Sequence, residues 1–163
     1  MVALRSIFPE DRDRMLDILT DETVKKTYML PDFNSREDAQ PLFLRLMEMS
    51  SDDTKYVRAV SLNEQLIGFL NHTNIRNSSI ELGYVIHPDF QGRGYMTEAL
   101  FLSFDELFSL GYREIVTGAF AANKASLRVM EKCGMERMKK TDEIAYRGAI
   151  HPCIYYHKKT GVR

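Results

Sequence analysis

A glycine-containing loop at residues 91–94 carries the clearest chemical pattern in the sequence. It follows an apolar stretch, residues 80–86, that is typical of a strand and ends at His87-Pro88, because proline cannot donate to a sheet ladder. It leads directly into residues 95–107, where apolar side chains recur at helical spacing. The glycines therefore lie where a strand passes into the first turn of a helix. The free N–H groups and partial positive charge of such a turn predict a site for an anion such as a pyrophosphate.

The loop does not match the two common phosphate-binding motifs. A nucleotide-hydrolysing P-loop requires G-x-x-x-x-G-K-[ST], and a dinucleotide-binding fold requires G-x-G-x-x-G. The sequence instead has Gln91-x-x-Gly94-x-Met96 directly after Val85-Ile86-His87-Pro88. Another class of phosphate-containing ligand is therefore expected.

A second motif, further along the chain, makes the pattern specific. Asn123-Lys124-Ala125-Ser126 is followed by Val129-Met130-Glu131-Lys132-Cys133-Gly134-Met135. In their order and spacing the two motifs resemble the Q/R-x-x-G-x-G/A acetyl-CoA loop and the N-x-x-S helix start of the GNAT superfamily of N-acetyltransferases. Met96 departs from that loop, since the family has a small residue there. Together with residues 21–24 and 146–148, they resemble the subgroup that acetylates N-terminal amines, alanine or serine, of ribosomal proteins.

The resemblance implies acetyl-CoA as co-substrate and assigns residues to it. In GNAT enzymes two central parallel strands splay apart at their C-terminal ends, and the pantetheine arm lies in the gap. This implies backbone contacts from Tyr84, Val85 and Ile86, with the Ile86 N–H as a donor to the carbonyl oxygen that gains charge during the reaction. The other implied cofactor contacts are Gln91, Gly92, Arg93, Gly94, Tyr95, Met96, Thr97, Asn123 and Ser126.

Glu81 is the candidate for the group that helps to deprotonate the acceptor amine. At pH 7 deprotonation costs about 1.4 kcal/mol for an α-amine and about 4.6 kcal/mol for a lysine. Glu81 is the acid in an otherwise apolar strand, on the same pleat face as Gly83 and Val85, and would act directly or through a water. The alternative is a structural carboxylate paired with a neighbouring cation or backbone group. The family's other position for a base falls in residues 116–119, which contain no acid.

Ser126 and Asn123 each have a catalytic and a structural interpretation. By resemblance, Ser126 lies near the departing sulfur as proton donor or hydrogen-bond partner, but a serine in the first helical turn is also common capping chemistry. Asn123 suits a helix N-cap, and by resemblance it also lies near the pantetheine. Other GNAT branches have a tyrosine as the acid at the position of Met130. Tyr155 or Tyr156 would substitute for it, or would be core or surface residues.

The identity of the acceptor is left open between three interpretations. The first is the N-terminal α-amine of a protein or peptide. The second is a small-molecule amine, such as a polyamine, an aminoglycoside-like drug or an amino-sugar, which Asp32, Asp38 or Asp142 at the site would favour. The third is a catalytically silent, acetyl-CoA-binding regulatory module. By resemblance the helices before the main sheet form the acceptor wall, and Tyr28, Met29 and Leu30 either face the core or line a pocket.

The composition restricts the partners. The chain has 22 Lys and Arg against 23 Asp and Glu, a net charge of −1, so no nucleic-acid partner is expected. No window is apolar enough for a membrane span, and Cys133 and Cys153 lack C-x-x-C spacing, so a reduced cytoplasmic protein is expected. The four histidines share no metal-ligand spacing, so we expect no metal. The partners expected are acetyl-CoA and an amine acceptor, with a homodimer left open.

The elements that must position these residues form one predicted domain, residues 1–163. The fold class expected is α/β (α+β): a GNAT-like, mixed but mostly antiparallel sheet of about seven strands, with a central parallel β-α-β unit, flanked by helices. The sequence predicts strands at 2–7, 56–62, 65–72, 79–86, 114–120, 136–146 and 150–158. It predicts helices beginning near Pro9, at 21–30, after Ser35, from the 91–94 loop to a stop at Gly111, and at 123–133.

Overall fold

The computed structural model of the chain describes residues 1–161. Within these residues there are seven strands and five α-helices, with single turns of 3-10 helix at Pro9–Asp11 and Pro88–Phe90. The strands are β1 (Val2–Arg5), β2 (Val57–Leu62), β3 (Gln65–Arg76), β4 (Ser79–Ile86), β5 (Glu114–Phe120), β6 (Glu136–Tyr146) and β7 (Ala149–Lys159). The helices are α1 (Arg12–Leu19), α2 (Glu22–Lys25), α3 (Arg36–Ser50), α4 (Tyr95–Ser109) and α5 (Lys124–Lys132).

The strands form a single mixed sheet in the order β1-β2-β3-β4-β5-β7-β6. Strands β1 to β4 are an antiparallel meander, β5, β7 and β6 are also antiparallel, and β4 and β5 are the parallel pair at the centre. The predicted fold class, with its mostly antiparallel sheet and central β-α-β unit, is confirmed.

The parallel pair separates before its strands end. Hydrogen-bonded pairing between β4 and β5 runs from Ser79↔Glu114 to Leu82↔Thr117. Beyond that point β4 remains paired with β3 as far as Ile86, and β5 remains paired with β7 as far as Phe120. Each strand is therefore held by its outer neighbour while the C-terminal halves diverge. The result is an opening in the middle of the sheet.

Helices cover both faces of the sheet and bury two separate cores. Helices α4 and α5 pack on one face, around Leu100 and Met130. Helices α1, α2 and α3 pack on the other face, around Leu16 and Phe43. Side chains alternate between the faces of a strand, so β3 supplies Ile67 to the first core and β2, β3 and β4 supply residues such as Phe69 to the second. No helix among the described residues has the length and apolar character that crossing a membrane requires.

Some element boundaries differ from the prediction. The predicted helix at residues 21–30 is wrong after Lys25, because Pro31 disfavours a helical Leu30 and that residue's N–H is bound by a side chain from β6. The first strand ends at Arg5 rather than at residue 7. Strand β3 continues past His72 to Arg76, through a bulge opposite β4.

Candidate active site

A cavity of about 510 Å³ lies at the opening between β4 and β5. The loop at residues 91–94 and the start of α4 line one end, residues along the length of α5 form a wall, and residues 23–28 line the opposite end. This volume lies within the range of small-molecule and cofactor sites. The predicted site residues that line it are Tyr84, Val85, Ile86, Gln91, Gly92, Gly94, Tyr95, Met96, Thr97, Asn123 and Ser126.

Two predicted site residues lie outside this lining. Arg93 is exposed on the outer side of the loop, and Glu81 lies further down β4. The Glu81 Oε2 accepts a hydrogen bond from Thr73 Oγ1 at 2.6 Å, so its partner is a side-chain hydroxyl rather than the cation or backbone group expected of a structural carboxylate. Gly83, two residues on, does line the cavity and is packed beside Tyr28 and Asn71. The Glu81 side chain is therefore not part of the cavity wall.

The backbone of β4 presents hydrogen-bonding groups to the opening. The His87 N–H donates to the Ile67 carbonyl at 2.7 Å, on the β3 side. Backbone N–H and C=O groups point to alternate sides of a strand from one residue to the next, so those of Tyr84 and Ile86 point toward β5. Both residues lie beyond Leu82, the last residue of β4 that pairs with β5. Gln91 Nε2 donates to the Ile86 carbonyl at 3.2 Å, which ties the loop to the strand end. The Ile86 N–H is therefore directed at the cavity.

The glycine loop has the backbone geometry of an anion site. Gly92 and Gly94 have φ values of 73° and 82°, a left-handed conformation that side chains disfavour. A Cβ built on either glycine would meet no atom within 4 Å, so the face of the loop is open. The first helical bond of α4 runs from the Glu98 N–H to the Gly94 carbonyl at 3.1 Å. The N–H groups of residues 95–97 consequently have no partner within the helix.

The start of α5 places a hydroxyl in the cavity wall. Asn123 is the N-cap, and its Oδ1 accepts from the Ser126 N–H at 3.2 Å, so the predicted capping role is confirmed. That bond leaves the Asn123 amide NH2 free for a ligand. The Ser126 Oγ lies 2.6 Å from the Tyr84 hydroxyl, and loss of hydration raises the pKa of that phenol.

The far end of the cavity has a neutral wall built from the segment after α1. Thr23, Val24, Thr27 and Tyr28 line it. The Tyr28 hydroxyl donates to Asn71 Oδ1 at 2.6 Å, and burial raises the pKa of this tyrosine. Of the three residues left open between core and pocket, Tyr28 lines the pocket, Leu30 is in the core and Met29 is exposed.

The hairpin between β6 and β7 fastens this wall to the sheet. The Tyr146 hydroxyl donates to the Lys25 carbonyl at 2.6 Å and accepts from the Leu30 N–H at 3.2 Å. The neighbouring Arg147 donates to Glu22 at 2.6 Å, which lowers the pKa of that carboxyl. The short helix α2 and the turn after it are therefore positioned by contacts more than a hundred residues away in sequence.

The three aspartates that would favour a polycation lie away from the cavity lining. Asp32 pairs with Arg147 at 3.4 Å. Asp38 accepts from the Asn34 N–H at the start of α3. Asp142 accepts from the Tyr155 hydroxyl at 3.4 Å on β6. Each carboxylate therefore has a partner elsewhere in the fold.

The other candidate groups are packed in the interior. Tyr155 and Tyr156 are buried, and neither lines the cavity. Burial raises the pKa of the Cys133 thiol to about 11, which opposes its use as a nucleophile. Within residues 1–161 no group of three or more His, Cys, Asp or Glu side chains is arranged to hold a metal ion.

Sequence reasoning gave no role to several residues that line the cavity. Two features of the sequence could have identified some of them. Residues of α5 at helical spacing from Ser126 lie on the same face of that helix, and residues at the end of β5 lie opposite the end of β4. The residues concerned are Thr23, Val24, Thr27, Gly83, Phe90, Gly118, Ala119, Ala125, Val129 and Lys132.

The fold corresponds to that of acetyltransferases. The family model of the acetyltransferase (GNAT) domain matches residues 2–136, most of the chain. The chain belongs to the GNAT acetyltransferase family, as the sequence motifs indicated, and is an acetyltransferase. A search of curated proteins finds no significant match.

Solved structures of acetyltransferases share the fold at low sequence identity. A GNAT-family acetyltransferase from Bacillus anthracis is 22% identical, with 97% of this chain and 94% of that chain covered and a TM-score of 0.84. An acetyltransferase from Salmonella typhimurium that modifies the N-terminal serine of ribosomal protein L7/L12 is 16% identical, with 97% and 94% covered and a TM-score of 0.83. Spermidine N-acetyltransferase from Vibrio cholerae, in complex with CoA and spermine, is 17% identical, with 97% and 95% covered and a TM-score of 0.81.

Proposed function

We propose that this chain, as a single domain over residues 1–163, transfers the acetyl group of acetyl-CoA to the N-terminal α-amine of a protein or peptide. The observation that carries the proposal is one cavity that runs from an anion-binding loop, through the opened sheet, to a neutral pocket. Such a cavity suits a ternary complex in which the amine attacks the thioester directly. The two free, buried cysteines suit the cytoplasm as the place of the reaction.

The acetyl-CoA end of the proposal rests on the loop and on β4. The N–H groups at the start of α4 would bind the diphosphate, and Arg128 and Lys132 supply cationic side chains to the same cavity. The pantetheine arm would pair with the backbone of Tyr84 and Ile86, which β5 leaves unpaired. Solved structures that share this fold and contain CoA support this choice of ligand.

The thioester carbonyl would then lie at the centre of the sheet. The Ile86 N–H faces this region and would donate to the oxygen as it gains negative charge. Loss of such a donor typically costs about 2.7–4 kcal/mol in the transition state. Ser126, in the wall opposite, would contact the sulfur that departs.

The acceptor end of the cavity favours an amine that carries only one positive charge. Its walls are hydroxyl, methyl and ring groups from residues 23–28. A polycation needs carboxylates to offset its further charges, and Asp32, Asp38 and Asp142 are each occupied elsewhere. An α-amine, with a deprotonation cost of about 1.4 kcal/mol at pH 7, needs little help from a base. Glu81, through a water, is the proposed source of that help.

Release of CoA thiol against a panel of amines tests the proposal. The panel contains peptides with N-terminal alanine or serine, the same peptides blocked at the α-amine but carrying a lysine, spermidine, an aminoglycoside and glucosamine. We expect turnover with the free N-termini and at most a small rate with the blocked peptides. Turnover with spermidine or another small amine alone would establish the small-molecule alternative. Binding of acetyl-CoA without turnover on any amine would establish the regulatory alternative.

A further inference from the structure

The Tyr84 hydroxyl makes a contact that cofactor binding does not require. It lies 2.6 Å from Ser126 Oγ and 3.3 Å from the Ser126 carbonyl oxygen. The role proposed above for Tyr84 uses only its backbone, and phenylalanine would provide the same backbone. The side chain spans from β4 to the first turn of α5 and packs against the core beneath the cavity.

Two hydrogen-bond arrangements satisfy this pair of hydroxyls. In one, Ser126 donates to Tyr84, and Tyr84 donates to the more distant Ser126 carbonyl. In the other, Tyr84 donates to Ser126 Oγ, and the Ser126 proton is free to point into the cavity. A hydrogen-bond acceptor in the cavity, such as a thioester sulfur gaining negative charge, favours the second arrangement, because both protons then have short partners.

The backbone of Ser126 is fixed as well. Its N–H is held by Asn123 Oδ1 at 3.2 Å, within the first turn of α5. Ser126 is thus restrained at its backbone by the helix cap and at its side chain by Tyr84. A hydroxyl restrained at both ends loses little further conformational entropy when it binds the leaving group.

We propose that Tyr84 is a positioning residue, whose hydroxyl donates to Ser126 Oγ and so directs the Ser126 O–H toward the sulfur of the departing CoA. This inference rests on the proposed function. The amine nitrogen forms a bond to the acetyl carbon, and the carbon–sulfur bond breaks with its electron pair on sulfur. The nitrogen loses its proton to water. The CoA thiolate leaves while it accepts a hydrogen bond from Ser126, and neither hydroxyl changes its protonation state.

Steady-state kinetics of Tyr84→Phe, Ser126→Ala and the double variant test the inference, with the best peptide acceptor. Tyr84→Phe should lower kcat about tenfold, the equivalent of one oriented hydrogen bond. The KM for the acceptor and the Kd for acetyl-CoA should stay within about twofold of wild type. Ser126→Ala should lower kcat more, by about a hundredfold, because it removes a hydrogen-bond donor to the negative charge that develops on sulfur. The double variant should match Ser126→Ala, because Tyr84 acts only through that hydroxyl.

A matched control separates positioning from loss of a buried hydroxyl. Tyr56→Phe removes a hydroxyl from a buried tyrosine that does not line the cavity, and it should leave kcat unchanged. If Ser126→Ala is impaired and Tyr84→Phe is not, the inference is wrong and the proposed function stands. Additive losses in the double variant would also overturn it. A wild-type protein without turnover on any amine would remove both the inference and the proposed function.

Discussion

Asn123 caps α5, and we also propose that it contacts the pantetheine of acetyl-CoA. Its Oδ1 caps α5, while its amide NH2 group is not engaged by that bond. Aspartate caps a helix about as well as asparagine, but it has no N–H to donate and adds a negative charge. The two roles can therefore be separated by substitution at this single residue.

Asn123→Ala should destabilise the protein by about 1 kcal/mol, whereas Asn123→Asp should be close to neutral for stability. Both should weaken acetyl-CoA binding if the amide contacts the pantetheine. Urea denaturation and calorimetric titration measure the two effects. Ser35→Ala is the control, because it removes the N-cap of α3 and should lower stability without changing acetyl-CoA affinity. Unaltered stability of Asn123→Ala would contradict the capping role.

The wall of the proposed acceptor pocket depends on distant contacts rather than on the helix propensity of its own residues. Helix α2 is a single turn, too short to be stable in isolation. The Tyr146 hydroxyl binds backbone groups at both ends of residues 25–30: the carbonyl of Lys25 and the N–H of Leu30. The hairpin thus determines where Tyr28 and its neighbours lie.

Tyr146→Phe should therefore affect the acceptor more than the cofactor. We expect a stability loss of about 1 kcal/mol and a KM for the peptide raised several-fold, because the segment loses its shared partner. The Kd for acetyl-CoA should not change, since the loop and β4 are untouched. Hydrogen exchange should become faster at residues 25–30. An unchanged acceptor KM, together with normal exchange there, would show that the hairpin does not position the wall.

An element could be predicted from the sequence where the interactions that define its ends are between residues close together in the chain. Helix α4 and strand β4 have strong periodic patterns and clear end signals, Gly111 and His87-Pro88, so the sequence defined them closely. The end of α2 depends on the Tyr146 hydroxyl, which no local pattern indicates. The extension of β3 past His72 depends on pairing with β4 through a bulge, which is likewise non-local.

The parallel strands β4 and β5 diverge at the cavity end and are joined by side-chain contacts at the opposite end. At the closed end, Glu114 on β5 contacts His157 of β7 at 2.7 Å and accepts from Ser79 Oγ of β4 at 2.9 Å. The hydrogen bond with His157 is the main cause of a lowered pKa for Glu114. The carboxylate thus joins three strands at the end opposite the cavity.

This lowered pKa makes a prediction about stability and pH. A carboxyl with a depressed pKa in the folded state stabilises the protein above its ordinary value of 4.5, and the contribution is lost as pH falls through the folded-state pKa. Near pH 6, Glu114→Gln should be less stable than wild type by about 0.5–1 kcal/mol, a modest value because the group is partly exposed. The difference should shrink steadily on acidification below pH 4.5. A difference that does not depend on pH would contradict this account.

The end of the cavity formed by the loop and the helix starts was largely predictable from sequence, and the end formed by residues 23–28 was not. The two motifs consist of consecutive residues, so the lining from Gln91 to Thr97, except Arg93, and from Asn123 to Ser126, except Lys124, could be located directly. The acceptor wall comes from side chains on a short, irregular segment. The contact between Tyr84 and Ser126 joins two motifs that only the folded chain brings together.

Acetyl-CoA binding by Gly94→Asp and Gly111→Asp tests the central claim most directly. Both glycines have positive φ values, 82° and 104°, and both have open space where a Cβ would be, so the backbone strain is comparable. Only Gly94→Asp places a carboxylate at the proposed diphosphate site. Calorimetric titration should show no measurable binding for Gly94→Asp and near wild-type affinity for Gly111→Asp. Wild-type affinity in Gly94→Asp would mean that the diphosphate binds elsewhere, and the proposed active site would be wrong.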